Sequence, residues 1–153
     1  MSGVRQDLSQ IAKYMCKYGE DNALLISNLK LQKLMYLGQM KHLSECEGAG
    51  LFHGVFYAWQ HGPVLIDLYN ALDIYGSLKI PSEEFKVEIQ LPDAVEKFVD
   101  GVMDDYAHYD AWTLVNATHQ KGGAWDKVFK PNQWRRQISE VDMRAEFDRG
   151  LII

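Results

Sequence analysis

Ser27-Asn28-Leu29-Lys30-Leu31-Gln32-Lys33-Leu34-Met35-Tyr36-Leu37-Gly38-Gln39-Met40 is the stretch on which the fold turns. Ser27 stands as an N-cap, and the helix that it opens is predicted to run to about Cys46. Leu31, Leu34, Met35 and Gly38 fall on one stripe and Leu29, Tyr36, Met40 and Leu43 on another, so apolar contact is needed on two sides. Such a helix belongs at the centre of the fold. Gly38 costs about 1 kcal/mol relative to Ala inside a helix, which predicts a neighbouring backbone crossing closely there. Lys30, Lys33 and Lys41 lie near one another on the helical surface, while Gln32, Tyr36 and Gln39 follow a separate line. The lysines are expected to be solvated and Gln32 and Tyr36 to satisfy buried backbone groups, with direct contact to a partner as the competing role.

Upstream, Val4, Leu8, Ile11, Ala12 and Met15 recur at helical spacing up to about Lys17, and Gly19 follows where a left-handed cap would close the helix. Downstream, Gly48-Ala49-Gly50 ends the central helix and Leu51 to Trp59, rich in aromatic and β-branched residues, reads as extended. Pro63 suits the first turn of a third helix, continued by Leu65, Leu68, Tyr69 and Leu72 as far as Gly76. Lys86 to Leu91 alternates polar and apolar residues, so that a short strand there is expected to pair with Val55-Phe56-Tyr57. A helix follows Pro92, Asp110 is placed to cap another through Thr118, Gly122-Gly123 breaks it, and Ser139 opens a last one towards Phe147. These elements add up to a mainly α single domain over residues 1–153, about six helices in a bundle with a small two-stranded β element as its one other feature.

Two further motifs join the central helix. Ala58-Trp59-Gln60-His61-Gly62-Pro63-Val64 combines a large aromatic, a conformationally free Gly and a rigid Pro, and so serves either as a partner anchor or as a structural corner. Leu114-Val115-Asn116-Ala117-Thr118-His119, followed by Trp125, places His119 near a helix end, where a protonated ring would complement the dipole and Thr118 could bond the backbone. In this order the three motifs resemble the Panacea domain, also called the SocA-like antitoxin or phage-associated GepA domain, over about Leu8 to Phe147. The chain departs from the family pattern at Leu37, at Lys121 and at Gly123-Ala124-Trp125, where a Pro-Trp pair is usual. The resemblance implies an antitoxin that binds and neutralises a cognate toxin protein, in a toxin-antitoxin pair or a prophage. One mechanism in the family is delivery of the toxin to a ClpXP-type AAA+ protease. On this resemblance Lys30, Gln32, Lys33, Tyr36, Trp59, His61, Gly62, Pro63, Thr118, His119 and Trp125 are the partner-binding or family-motif residues.

Composition narrows the alternatives. An apolar fraction of 47% with six Phe, eight Tyr and four Trp suffices for one core. A net charge of −5 repels phosphate backbones, so nucleic acid is not the expected partner. Cys16 and Cys46 lack CxxC spacing, and no window approaches the roughly 18 apolar residues of a membrane span. The opening residues carry no hydrophobic signal stretch, and the expectation is a cytoplasmic protein away from membranes. His42, His53, His61, His108 and His119 form no HExxH pattern, and no GxSxG, P-loop or GxGxxG occurs. No catalytic residue, metal or cofactor is therefore expected. The alternative is a small phage-associated enzyme, which would gather His53, His61 and His119 around one cavity.

Overall fold

The computed structural model describes residues 4–153; residues 1–3, part of the opening read for a signal stretch, lie outside them. Among the described residues there are seven α-helices and one two-stranded antiparallel sheet. α1 (Leu8–Asp21) begins on Asp7, whose carboxylate accepts from the N–H groups of Ser9 and Gln10. α2 (Asn28–Glu45) begins on Ser27, as its sequence position indicates. β1 (Tyr57–Trp59) and β2 (Gly62–Val64) form a hairpin that leads into α3 (Ile66–Ala71). α4 (Asp93–Tyr106), α5 (Ala111–Thr118), α6 (Ala124–Val128) and α7 (Glu140–Asp148) follow, with Asp110 capping α5 and Ser139 capping α7.

α2 is the axis of the molecule. Of its 18 residues 14 are buried, because α1, α4, α5, α7 and the hairpin surround it on every side. Leu31, Leu34, Met35 and Met40 join Ile11 and Met15 of α1, Val99 and Val102 of α4, Leu114 of α5 and Met143 of α7 in one core cluster. Each such side chain stabilises by about 1.5–3 kcal/mol on burial. At Gly38 side chains meet, rather than the crossing backbone that was expected: a Cβ there would stand 3.5 to 3.8 Å from Met15, Leu51 and Val102 side chains. Gly19 lies inside α1 and is not its left-handed cap; a Cβ on it would come 2.5 Å from Ile26 Cγ1 and 3.1 Å from the Leu24 carbonyl. The chain turns left-handed instead at Ala23, with φ 54°.

The sheet joins partners other than those expected. β1 pairs with β2 through Tyr57↔Val64, Ala58↔Pro63 and Trp59↔Gly62, so Pro63 sits in a strand and helix α3 starts only at Ile66. Pro63 is tolerated because β2 is an edge strand, where its missing N–H breaks no ladder. On its other side β1 meets the 136–138 segment, with Ala58 N–H donating to Arg136 and Ile138 N–H to Phe56. Residues 86–91 do alternate between exposed and half-buried, but no strand forms. Side chains of α1 take their backbone groups: Lys13 Nζ donates to the Val87 carbonyl and Gln10 Oε1 accepts from Gln90 N–H.

Candidate functional site

The hairpin hangs on polar side chains that α2 carries into the core. Gln39 Oε1 accepts from the N–H groups of Leu51 and Phe52, at 2.7 and 3.3 Å, while its Nε2 donates to the Phe52 carbonyl. Two turns earlier, Gln32 Oε1 accepts from Leu65 N–H at 2.8 Å, and Gln32 Nε2 donates to Asn28, which reaches the Tyr69 carbonyl. Between these two staples the chain leaves α2 and returns, and neither of its buried ends could otherwise find a partner from a helix ladder. Gln32 thus fills the role expected of it.

Lys33 does not. It is fully buried, and its Nζ donates to the Pro63 carbonyl at 2.8 Å. Lys30 is also buried, so the expectation of a solvated lysine face fails for both. They fail it because hairpin and α5 cover this side of α2. Burial pulls the Lys33 amine down from its ordinary range to about 7, which makes the neutral amine accessible near physiological pH. Burial also lowers Lys30, and the charge of Asp110 partly offsets it. Gly62 closes over Lys33 with φ 103°, and a Cβ on it would lie 2.8 Å from Lys33 Cε and 2.7 Å from Thr118 Oγ1. The three sequence motifs therefore converge at Gly62.

On the far side of that contact, Thr118 donates to the Val115 carbonyl and closes α5, with His119 as the C-cap. The His119 ring stacks on Trp125 at 3.8 Å, Trp125 stacks on Phe129 at 4.5 Å, and Trp125 Nε1 donates to the Trp59 carbonyl at 2.7 Å. Burial foremost, then the Lys33 and His61 charges, lower the His119 pKa. Burial thus works against the protonated dipole partner that was expected, and the ring stacks on an indole instead. Trp59 is half-buried, and its Nε1 donates to the Trp134 carbonyl at 2.8 Å.

Tyr36 packs edge-on against Phe56 at 5.0 Å, and its hydroxyl, expected to satisfy a backbone group, has no hydrogen-bond partner among the described residues. His119 Nε2 and Glu146 Oε2 share that condition. Glu146 is the residue that sequence reasoning missed. From α7 its Oε1 accepts from Ala124 N–H at 2.8 Å, where α6 begins, and Gly123 lies so close that a Cβ would touch the carboxylate at 2.8 Å. Burial raises the Glu146 pKa; burial, then the charges of Glu146 and Asp142, raise that of Tyr36 well above the phenol range. The only sequence signal for Glu146 was its place three residues after Met143 on the apolar side of α7.

His61 lies outside this cluster, exposed on the hairpin turn with its ring edge-on to exposed Trp112 at 5.1 Å. His53 lines a cleft of about 690 Å³ between the start of α1, α3 and the 84–87 segment, and neither His61 nor His119 lines that cleft. Among the described residues no group of three or more His, Cys, Asp or Glu is placed to hold a metal ion, and no helix is long and apolar enough to cross a membrane. Lys33, Thr118, Trp125 and Glu146 are all buried around the hairpin and the α5–α6 turn. Their bonds to Pro63, Trp59 and Ala124 are suited to holding the hairpin and that turn rigidly, so that what faces outward beside them keeps a fixed shape.

No curated protein and no solved structure matches the chain. The family model described as "Antitoxin SocA-like, Panacea domain" matches residues 31–126, from the first turn of α2 into α6, and so takes in the convergence of all three motifs. The chain belongs to the SocA-like antitoxin family and carries its Panacea domain.

Proposed function

We propose that this chain is an antitoxin that binds one cognate toxin protein and neutralises it, acting by binding rather than by catalysis. The observation that carries this reading is the family match over residues 31–126, which takes in the hairpin and the contact of Gly62 with Lys33 and Thr118. Around that hairpin Trp112 and Trp134 are 56% and 61% exposed, and large exposed aromatics on a rigid frame are what protein interfaces use as anchors. Neutralisation takes one of two forms, direct blocking or delivery of the toxin to a ClpXP-type AAA+ protease.

The test is co-expression with the product of the neighbouring gene. Growth rescue together with a complex that survives purification supports the antitoxin reading; a harmless neighbour, or rescue without any complex, overturns it. Rescue that persists in cells without ClpXP assigns blocking, whereas rescue lost there, with the toxin accumulating, assigns delivery.

A further inference from the structure

Beside the hairpin, Trp59, Phe129, Pro131 and Trp134 line a cleft of about 280 Å³, with Lys130 on its wall. Its aromatic walls are already fixed. Trp59 is held through its Nε1 to the Trp134 carbonyl and through its own carbonyl to Trp125 Nε1, and its ring stands edge-on to Tyr69 at 5.4 Å and to Trp134 at 6.0 Å. A cleft formed in advance spares a ligand much of the ordering cost of binding. Trp134 nevertheless leaves most of its ring in water.

The charge around the cleft is opposite to that of the chain. Residues 127–136 hold Lys127, Lys130, Arg135 and Arg136 and no acid, in a protein of net charge −5. Lys127 pairs with Asp142 and Arg135 lines the larger cleft that His53 also lines, while Lys130 and Arg136 make no ion pair among the described residues. Arg136 is anchored by its Nε to the Val128 carbonyl. From this complementarity we propose that the Trp59–Trp134 cleft docks an acidic segment of the toxin that carries a single large apolar side chain. The side chain enters the cleft against the exposed indole of Trp134, and the flanking carboxylates meet Lys130 on its wall and Arg136, which bonds Gln133 of the lining. The identity of the partner rests on the antitoxin reading above. Single-stranded nucleic acid would also use aromatics and cations, but successive bases need parallel ring faces, and the two indoles cross at 83° in a chain whose total charge repels phosphate.

A random peptide library displayed on phage and selected against the purified full chain tests the cleft. The expected winners carry several Asp or Glu around one Phe, Leu or Trp, and a synthetic copy of a winner binds with an affinity that falls as salt rises. Trp134→Ala should weaken that peptide about tenfold or more, as loss of an aromatic anchor does. Lys130→Glu should weaken it as well and flatten the salt dependence. These side chains are exposed, and circular dichroism confirms that each variant folds. Winners without acidic character, binding that both variants leave unchanged, tighter binding of oligothymidylate, or self-association through the cleft would each overturn the proposal. The same variants go into the growth rescue. Full rescue by both refutes the cleft while the antitoxin reading stands, whereas acidic winners from a chain that rescues nothing refute the toxin as the occupant.

Discussion

On the inner side of the hairpin, Lys33 and Trp125 are buried and each donates one hydrogen bond to a hairpin carbonyl, that of Pro63 and that of Trp59. On the outer side, Lys130 and Trp134 are the same residue types left exposed, and what the Trp134 peptide gives the hairpin is its carbonyl. The difference lies in what else reaches each pair. Inside, α2, α5, α6 and α7 crowd the groups until protonation of the amine becomes costly; outside, Lys130 and Trp134 stay exposed among the described residues. An amine and an indole thus act as struts where the fold encloses them and as unclaimed binding groups where it stops.

The inner side is broken most severely at Gly62. Gly62→Ala places a Cβ within 2.8 Å of both Thr118 Oγ1 and Lys33 Cε at φ 103°. Backbone strain of about 1–3 kcal/mol adds to overpacking of similar size, roughly 2–6 kcal/mol in all. Against a total stability of about 5–15 kcal/mol, denaturant unfolding should show a badly weakened or unfolded protein. An unchanged midpoint would mean that the hairpin does not close on Lys33.

Lys33→Met sharpens the comparison from the opposite direction, because it removes the cost of burying an unpaired charge and adds about 1–3 kcal/mol for the Pro63 carbonyl left without its donor. The effect has a pH signature. The folded-state pKa is about 7 against an ordinary 10.5, so between those values the unfolded chain holds a proton that the folded chain lacks. Wild-type stability therefore rises with pH across that window, and the cost of Lys33 is fully present below it. Relative to wild type the variant should stand best at pH 6 and fall below it at pH 10, read from unfolding curves at both. An equal stability difference at the two pH values would show that the amine is not desolvated.

Gln32→Leu removes the acceptor for Leu65 N–H and should cost about 1–3 kcal/mol, with amide exchange at Leu65 accelerating by more than the global loss explains. Uniform acceleration across α2 would place the defect elsewhere. The smallest expected change is on the outer side: Trp134→Ala should alter stability by no more than about 0.5 kcal/mol while toxin binding falls. A large loss of stability there would make Trp134 a strut as well.

The sequence made α2 legible through its Ser27 cap and its two apolar stripes, and α5 and α7 through Asp110 and Ser139, because caps act within one turn. The motif residues were legible as a group, since Lys33, Gly62, Pro63, Thr118, His119 and Trp125 do come together. Their burial was not. A lysine on a helix reads as solvated until the segment that covers it is known, and the cover here is a hairpin whose Gln60-His61 turn carries none of the Asn-Gly or Asp-Gly signals of tight turns. Alternation in 86–91 gave the side-chain faces correctly and the pairing wrongly, because periodicity records which side is dry and says nothing of which backbone lies alongside. Glu146 was hidden for a similar reason: its partner at Ala124 lies on another helix, 22 residues away.

β1 bears on where this protein can be cut. The family match ends at residue 126, yet β1 takes one of its two neighbours from residues 136–138, and α6 is capped by Glu146. A chain stopped at 126 would leave Ala58 N–H and the Phe56 carbonyl facing water along an apolar strand, a template to which other chains can add. The stretch shared across the family is thus narrower than the cooperative folding unit, and fragments trimmed to it are expected to aggregate.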